Sequence, residues 1–247
     1  MCDDSVKRSN VWKGWVELPA PQELSSTGLW CDLSHPLSSD MPRQPFFPVP
    51  TFEHFRSLPD FPLNISRINM IAHLGTHVDS PRHRFNDGPA FEDVPLDRLA
   101  GAGVICRIAA DAHNEIGPNQ LEAACSLLQA GDILILNTGM HHQAYGAGYQ
   151  NHPWLSPTGA QWIIDHKVKM LALDTPTPEM SHEHRGAGFD FPIHKLLLGH
   201  GVLVAEHLTN LDPLSGCRVE VMCNALNIRG GDGAPTRILA RALNDAR

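Results

Sequence analysis

From residue 65 onward, short apolar runs alternate with segments of helical spacing. Runs of strand length lie at 65–71, 103–109, 132–137, 168–174, 202–206 and 218–224, with a last one near 236–241. Between them, Asn119 and Glu122 have the form of a capping box that opens a helix up to Ala130, with Gly131 as its stop. Ser156 and Pro157 start a second helix through Ile164, and Pro192 starts a third through Leu198. Strands interleaved with helices predict one α/β domain around a mixed sheet.

Nearer the N-terminus the pattern changes. A short strand is expected at 28–33. After it come Pro36, Pro42, Pro45, Pro48, Pro50, Pro59 and Pro62, a density that excludes regular helix and central strand. Phe46, Phe47, Phe52, Phe55 and Phe61 make this stretch too apolar for a solvated linker. Segment 41–63 therefore reads as a lid or a subunit contact, packed on its own domain or on a neighbour. Residues 1–28 form an N-terminal arm and 29–247 the domain proper.

Composition narrows the function. A chain of 247 residues with 42% apolar side chains can fill one large core, which excludes general disorder. Nineteen Lys and Arg against 27 Asp and Glu give a net charge of −8, and the bases form no patch, so nucleic acid and anionic membrane surfaces are excluded as partners. The first ten residues are polar, and no apolar run approaches the roughly 20 residues of a membrane span, so a soluble, cytoplasmic protein is expected. Six cysteines without a CxxC pair read as free thiols of a reducing compartment. Fifteen histidines direct attention to metal binding and proton transfer.

Four candidate groups fall in Ile71-Ala-His-Leu-Gly-Thr-His-Val-Asp-Ser-Pro-Arg-His83. His73, His77, Asp79 and His83 are all odd-numbered and share one face of an extended chain, while Gly75 and Pro81 disfavour a helix. Full extension would hold the Cα atoms of residues 73 and 77 about 13 Å apart, near the limit for two imidazoles on one ion. A bend at Gly75 removes the difficulty, so HxGTHxD reads as a bent strand end that converges two imidazoles and a carboxylate. A second pair lies downstream. His194 falls in the first turn of a helix, and Glu206 ends an apolar strand, where a charge is expensive unless it is paired, protonated or metal-bound.

The HxGTHxDxPxH segment, the Thr138-Gly139 pair after the 132–137 strand, the Leu173-Asp174-Thr175-Pro176 turn and the His194 to Glu206 spacing together resemble the cyclase family of metal-dependent hydrolases, which includes bacterial kynurenine formamidase and isatin hydrolase. The resemblance covers residues 30–239. It implies a swivelling β/β/α fold, a homodimer or homotetramer, and hydrolysis of an amide or ester bond in a small-molecule substrate with one or two Zn or Mn ions per subunit. It places His73, His77 and Asp79 at a first metal site, and Asp79, His194 and Glu206 at a second. His83 matches the proton-transferring histidine. The N-terminal arm, the Phe/Pro segment and an insertion at 140–154 depart from the shorter formamidases.

Imidazole and carboxylate ligands without thiolate suit Zn²⁺ or Mn²⁺. The reaction expected is attack of activated water on an amide or cyclic amide carbonyl, of the aryl formamide or isatin type. A lactone or ester hydrolase with the same site, and an inert metal- or ligand-binding protein, are the alternatives. Absence of a GxSxG elbow and of a phosphate loop argues against other hydrolase chemistries. Phe46, Phe47 and Trp154 are candidates for an apolar wall, and Arg185 for a substrate carboxylate. His141 and His142 read as part of a mobile surface loop.

Overall fold

The computed structural model describes residues 11–20, 24–26, 28–109 and 114–244. Cys2 and parts of the N-terminal arm lie outside them. In chain order the strands are β1 (Cys31–Asp32), β2 (Thr51–Arg56), β3 (Ile65–Asn69), β4 (His77–Asp79), β5 (Ala100–Arg107), β6 (Glu115–Ile116), β7 (Ile133–Asn137), β8 (Trp154–Leu155), β9 (Met170–Leu173), β10 (Leu203–Glu206), β11 (Arg218–Ala225) and β12 (Gly233–Ala242). The helices are α1 (Pro118–Ala124), α2 (Pro157–Asp165) and α3 (Pro192–Gly199).

Eight strands form the main sheet in the order β1-β12-β11-β5-β7-β9-β10-β4, and β12 also pairs with β4, which closes the sheet into a barrel. Within this sheet β5, β7, β9 and β10 run parallel and the other pairings are antiparallel, giving the mixed sheet and the swivelling β/β/α architecture expected from the family resemblance. Alternation along the strands divides the core in two. Leu134 and Leu136 of β7, with Leu171, Leu173 and Val204, face Leu121, Ile163 and Leu197 of the helices. Ile133, Ile135, Met170, Ala172 and Ala205 point the other way, into the barrel with Val78, Val221 and Ile238.

Two expectations change. α1 ends at Ala124, not Ala130, because Cys125 leaves helical geometry at ψ 34°. Its cap is Gly117, whose N–H donates to Gln120 Oε1 at 3.1 Å, while Glu122 accepts from Trp162 Nε1. The 65–71 run is not a strand of the barrel: among the described residues β3 pairs only with β2, in a hairpin whose eleven strand residues are all exposed. β2 occupies the proline-free window between Pro50 and Pro59, so the Phe/Pro segment holds an edge-type strand after all. Arg56 and Arg67 stack on Phe55 at 4.4 and 4.6 Å.

The arm's described residues pack on the body. Arg98, buried beneath them, donates to the carbonyls of Gly201 and Val16 and lies 4.6 Å over the Trp15 ring. His35, after β1, is buried as well. Its N–H donates to Thr76 Oγ1, which donates to the His207 carbonyl. Burial, and then the charge of His141, push the His35 ring down to about 4. An unfolded histidine titrates near 6.5, so this contribution to stability is complete above that pH and is lost as pH falls from 6.5 through 4. Between pH 7 and 4.5 the loss should be about 2–3 kcal/mol, and urea midpoints of the wild type and His35→Gln should converge over that interval; a constant gap would remove His35 as the cause.

Candidate metal centre

The bend is present. Gly75 adopts φ +62° and β4 begins two residues later, so only His77 and Asp79 lie on an extended strand. His73 sits in the preceding turn and His83 ends a 3-10 turn over Pro81–His83. The four groups therefore meet by folding of the segment, not by sharing one face of an extended chain. Register supplies the next member: Glu206 of β10 lies directly across from His77 of β4. α3 delivers His194 from a left-handed Phe191 N-cap at φ 46°.

Asp79 is the node of the cluster. Its Oδ1 lies 2.8 Å from His73 Nδ1 and 3.4 Å from His77 Nε2, and its Oδ2 lies 3.5 Å from His194 Nε2. Glu206 approaches His77 Nε2 at 3.4 Å and His194 Nε2 at 3.3 Å. Two of the rings have their tautomer fixed from behind. His77 Nδ1 donates to the Gly75 carbonyl at 2.9 Å, and His194 Nδ1 donates to Glu179 Oε1 at 3.0 Å, which turns both Nε2 lone pairs toward the cluster. His83 packs against His73 at a tilt of 37°, with ring centroids 4.1 Å apart, and is partly exposed.

Electrostatics matches a site that exchanges protons for cations. Burial alone would lower His73, but Asp79 and Asp232 outweigh it and hold the ring at about 10. His194 is likewise raised against its burial, by Asp79, Glu179 and Glu206. Burial would raise Asp79, yet the neighbouring His83 and His73 charges hold it well below the usual carboxylate range. A divalent ion replaces such protons directly.

Three residues here have no counterpart among the expected ligands. Asp232 lies 3.0 Å from His73 Nε2 and 3.8 Å from His83 Nδ1, linking the two rings. Glu179 accepts from both the N–H and Nδ1 of His194. His207, at φ +58°, places a ring nitrogen within 4.8 Å of a ring nitrogen of His77 and a carboxylate oxygen of Glu206, while its Nδ1 shares a 2.9 Å hydrogen bond with Tyr149 Oη. Burial and the nearby His77 push it well below its ordinary value, so it is neutral, and its buried Nε2 has no hydrogen-bond partner among the described residues. An uncharged imidazole with an unused lone pair beside a carboxylate and a second imidazole fits a cation.

The cluster floors a cavity of about 310 Å³ whose walls include Phe46, Phe47, Phe191, Arg84 and Arg185. Trp154 is elsewhere, beside His184 and next to Leu155 and Pro178. The Thr138-Gly139 and Asp174 motifs are joined: Thr138 donates from N and Oγ1 to Asp174 Oδ1 at 3.0 and 2.6 Å. His141 is buried against that aspartate rather than being part of a solvated loop.

Gly233 faces Asp79 across β12, and a Cβ there would lie 2.7 Å from His73 Cε1. Gly233→Ala should therefore displace the His73 ring and weaken metal binding roughly 10–100-fold, the scale for disturbing a ligand's support. Chelator competition reads this out; unchanged affinity would remove His73 from the ligand set.

The chain is similar to known proteins over most of its length. Kynurenine formamidase from Bordetella petrii is 29% identical over 87% of this chain and 98% of its own length. The Bacillus cereus kynurenine formamidase is 25% identical over 88% and 99%. Isatin hydrolase A from Labrenzia aggregata superposes with a TM-score of 0.74 at 23% identity, covering 87% of this chain and 93% of that one. The Cyclase family model matches residues 31–180, more than half of the sequence and including the whole HxGTHxD segment, and the chain belongs to that family.

Proposed function

We propose that the cavity binds a small aryl formamide or an isatin-like cyclic amide and hydrolyses its carbonyl C–N bond. That the chain is a metal-dependent hydrolase of non-peptide amides follows from its kinship with kynurenine formamidases and its isatin hydrolase fold. The observation that carries the site assignment is the convergence of His73, His77 and His194 on the buried carboxylate of Asp79, with Glu206 beside His77 and His194.

As the family resemblance implies, His73, His77 and Asp79 would hold one Zn or Mn ion and Asp79, His194 and Glu206 a second; the ligand atoms of Asp79, His194 and Glu206 lie within 4.8 Å of one another, as do those of His73, Asp79 and His83 and those of His77, Glu206 and His207. When bound, such an ion supplies Lewis acidity, lowering the pKa of water towards about 7 and polarising the substrate carbonyl. The chain's own residues do the rest. His83, exposed to the cavity and backed by Asp232, takes the proton of the attacking water and returns it to the leaving nitrogen as the C–O bond forms and the C–N bond breaks. Phe46, Phe47 and Phe191 present an apolar wall to an aryl ring. Arg185 and Arg84 offer cations to a substrate carboxylate, or to the one released when a cyclic amide opens.

The exposed β2–β3 hairpin, with half-exposed Phe52, Phe55 and Ile68, supports the Phe/Pro segment as the subunit contact of a homodimer or homotetramer. Cys31, Cys106, Cys125, Cys217 and Cys223 are free thiols, which supports a cytoplasmic location. One experiment addresses the reading: elemental analysis of purified protein by mass spectrometry, then chelation and add-back during assays on N-formyl aryl amines, isatin-like amides, cyclic imides and lactones. One or two Zn or Mn per chain with restored amide hydrolysis is expected. Turnover of lactones alone would replace the substrate class, and activity indifferent to metal would overturn the mechanism.

A further inference from the structure

A second convergence of histidine and carboxylate lies outside the catalytic cavity, where the 140–154 insertion meets the turn at Asp212–Leu214. Gly139, at φ +83°, turns the chain out of β7 into a 3-10 turn over Met140–Gln143, which carries His141 and His142 side by side with ring centroids 4.1 Å apart. His142 Nε2 is 2.9 Å and His141 Nε2 3.8 Å from the same oxygen, Asp212 Oδ2. The three ligand atoms lie within 4.8 Å of one another. Tetrahedral ligands about 2.0–2.1 Å from an ion are spaced at about 3.3 Å, between the two measured separations.

The support behind these atoms has the form of a ligand site. Asp174, fully buried, accepts from His141 Nδ1 at 2.9 Å and from its N–H at 3.2 Å, so the ring is locked with Nε2 facing Asp212. The other oxygen of Asp212 is held by Arg107 and Asn137, each at 3.3 Å, which leaves Oδ2 to the histidines. A cleft lined by Cys31, Asp32, Thr209 and Asn210 opens in front of the cluster and gives water access to a fourth position. An ordinary surface histidine needs no buried carboxylate to fix its tautomer.

We infer that His141, His142 and Asp212 form a separate binding site for one divalent cation of the Zn²⁺ class, with Asp174 as the positioning residue that orients His141. It staples the insertion to the loop after β10 and is independent of the catalytic centre's ligands. His142 is more than half exposed, so His142→Asn should fold as the parent does. The test is zinc titration of the full-length protein in a chelator-buffered micromolar range, with stoichiometry read by elemental analysis, for the parent, His142→Asn and Asp212→Asn. The expected result is one fewer Zn²⁺ per chain in either variant, with hydrolysis rates within twofold of the parent. With Co²⁺ as probe, the variants should lose the visible absorption of one site. Equal zinc content in all three proteins, or a difference seen only at millimolar zinc, would overturn the inference and leave the cluster as a histidine–carboxylate ion pair. Neither result depends on which amide is cleaved.

Discussion

His83→Ala should lower kcat by roughly 10²–10⁴-fold while metal content and thermal stability stay at parental values. The range is the usual contribution of a positioned proton-transfer group. The argument is positional. Among the histidines lining the cavity, His83 has the most accessible ring, and its nearest carboxylate is Asp232 at 3.8 Å, not Asp79 or Glu206. Removing it strips a proton carrier and leaves Asp79 in contact with His73, His77 and His194. Parallel steady-state kinetics and elemental analysis decide the matter. Undiminished turnover would sink the role, and loss of an ion with the ring would move His83 among the ligands, since one of its ring nitrogens lies within 4.8 Å of a His73 ring nitrogen and an Asp79 carboxylate oxygen.

Asp79→Asn should do the opposite, emptying the centre and abolishing measurable hydrolysis together. Asp79 is 1% exposed and contacts three imidazoles. Its replacement leaves His73 and His194, whose protonation it supports, beside fewer compensating charges. Stripping one partner from a buried ionic cluster costs roughly 3–5 kcal/mol. Because these rings can release their protons, the lower figure, about 3 kcal/mol, is expected for the metal-free chain at pH 7 by urea unfolding. Retention of stoichiometric metal in Asp79→Asn would exclude Asp79 as a shared ligand.

The sequence made the near parts of this centre legible and hid the far ones. His73, His77, Asp79 and His83 are close in the chain, and Gly75 announces the bend that joins them. Glu206 betrayed itself as a charge closing an apolar strand. Asp232 and Glu179 carry no such local sign: one arrives with the β12–β4 pairing and the other from the loop after β9. His207 offered only its place beside Glu206, and its left-handed backbone is invisible without coordinates. The main strands and the starts of α2 and α3 follow from periodicity and proline. The end of α1 and the β2–β3 hairpin did not, because one depends on a single non-helical residue and the other on six proline-free positions within a proline-rich stretch. His141 looked like loop because nothing near it in sequence indicates that Asp174 comes to meet it.

β4 has no free flank. Its three residues are registered against β10 on one side and β12 on the other, so they cannot fray as an edge strand does. Amide hydrogens there exchange with solvent only when the barrel itself opens, which places His77, Val78 and Asp79 in the slowest-exchanging class and gives their opening the free energy of global unfolding. The strand that carries His77 and Asp79 is thus as durable as the molecule.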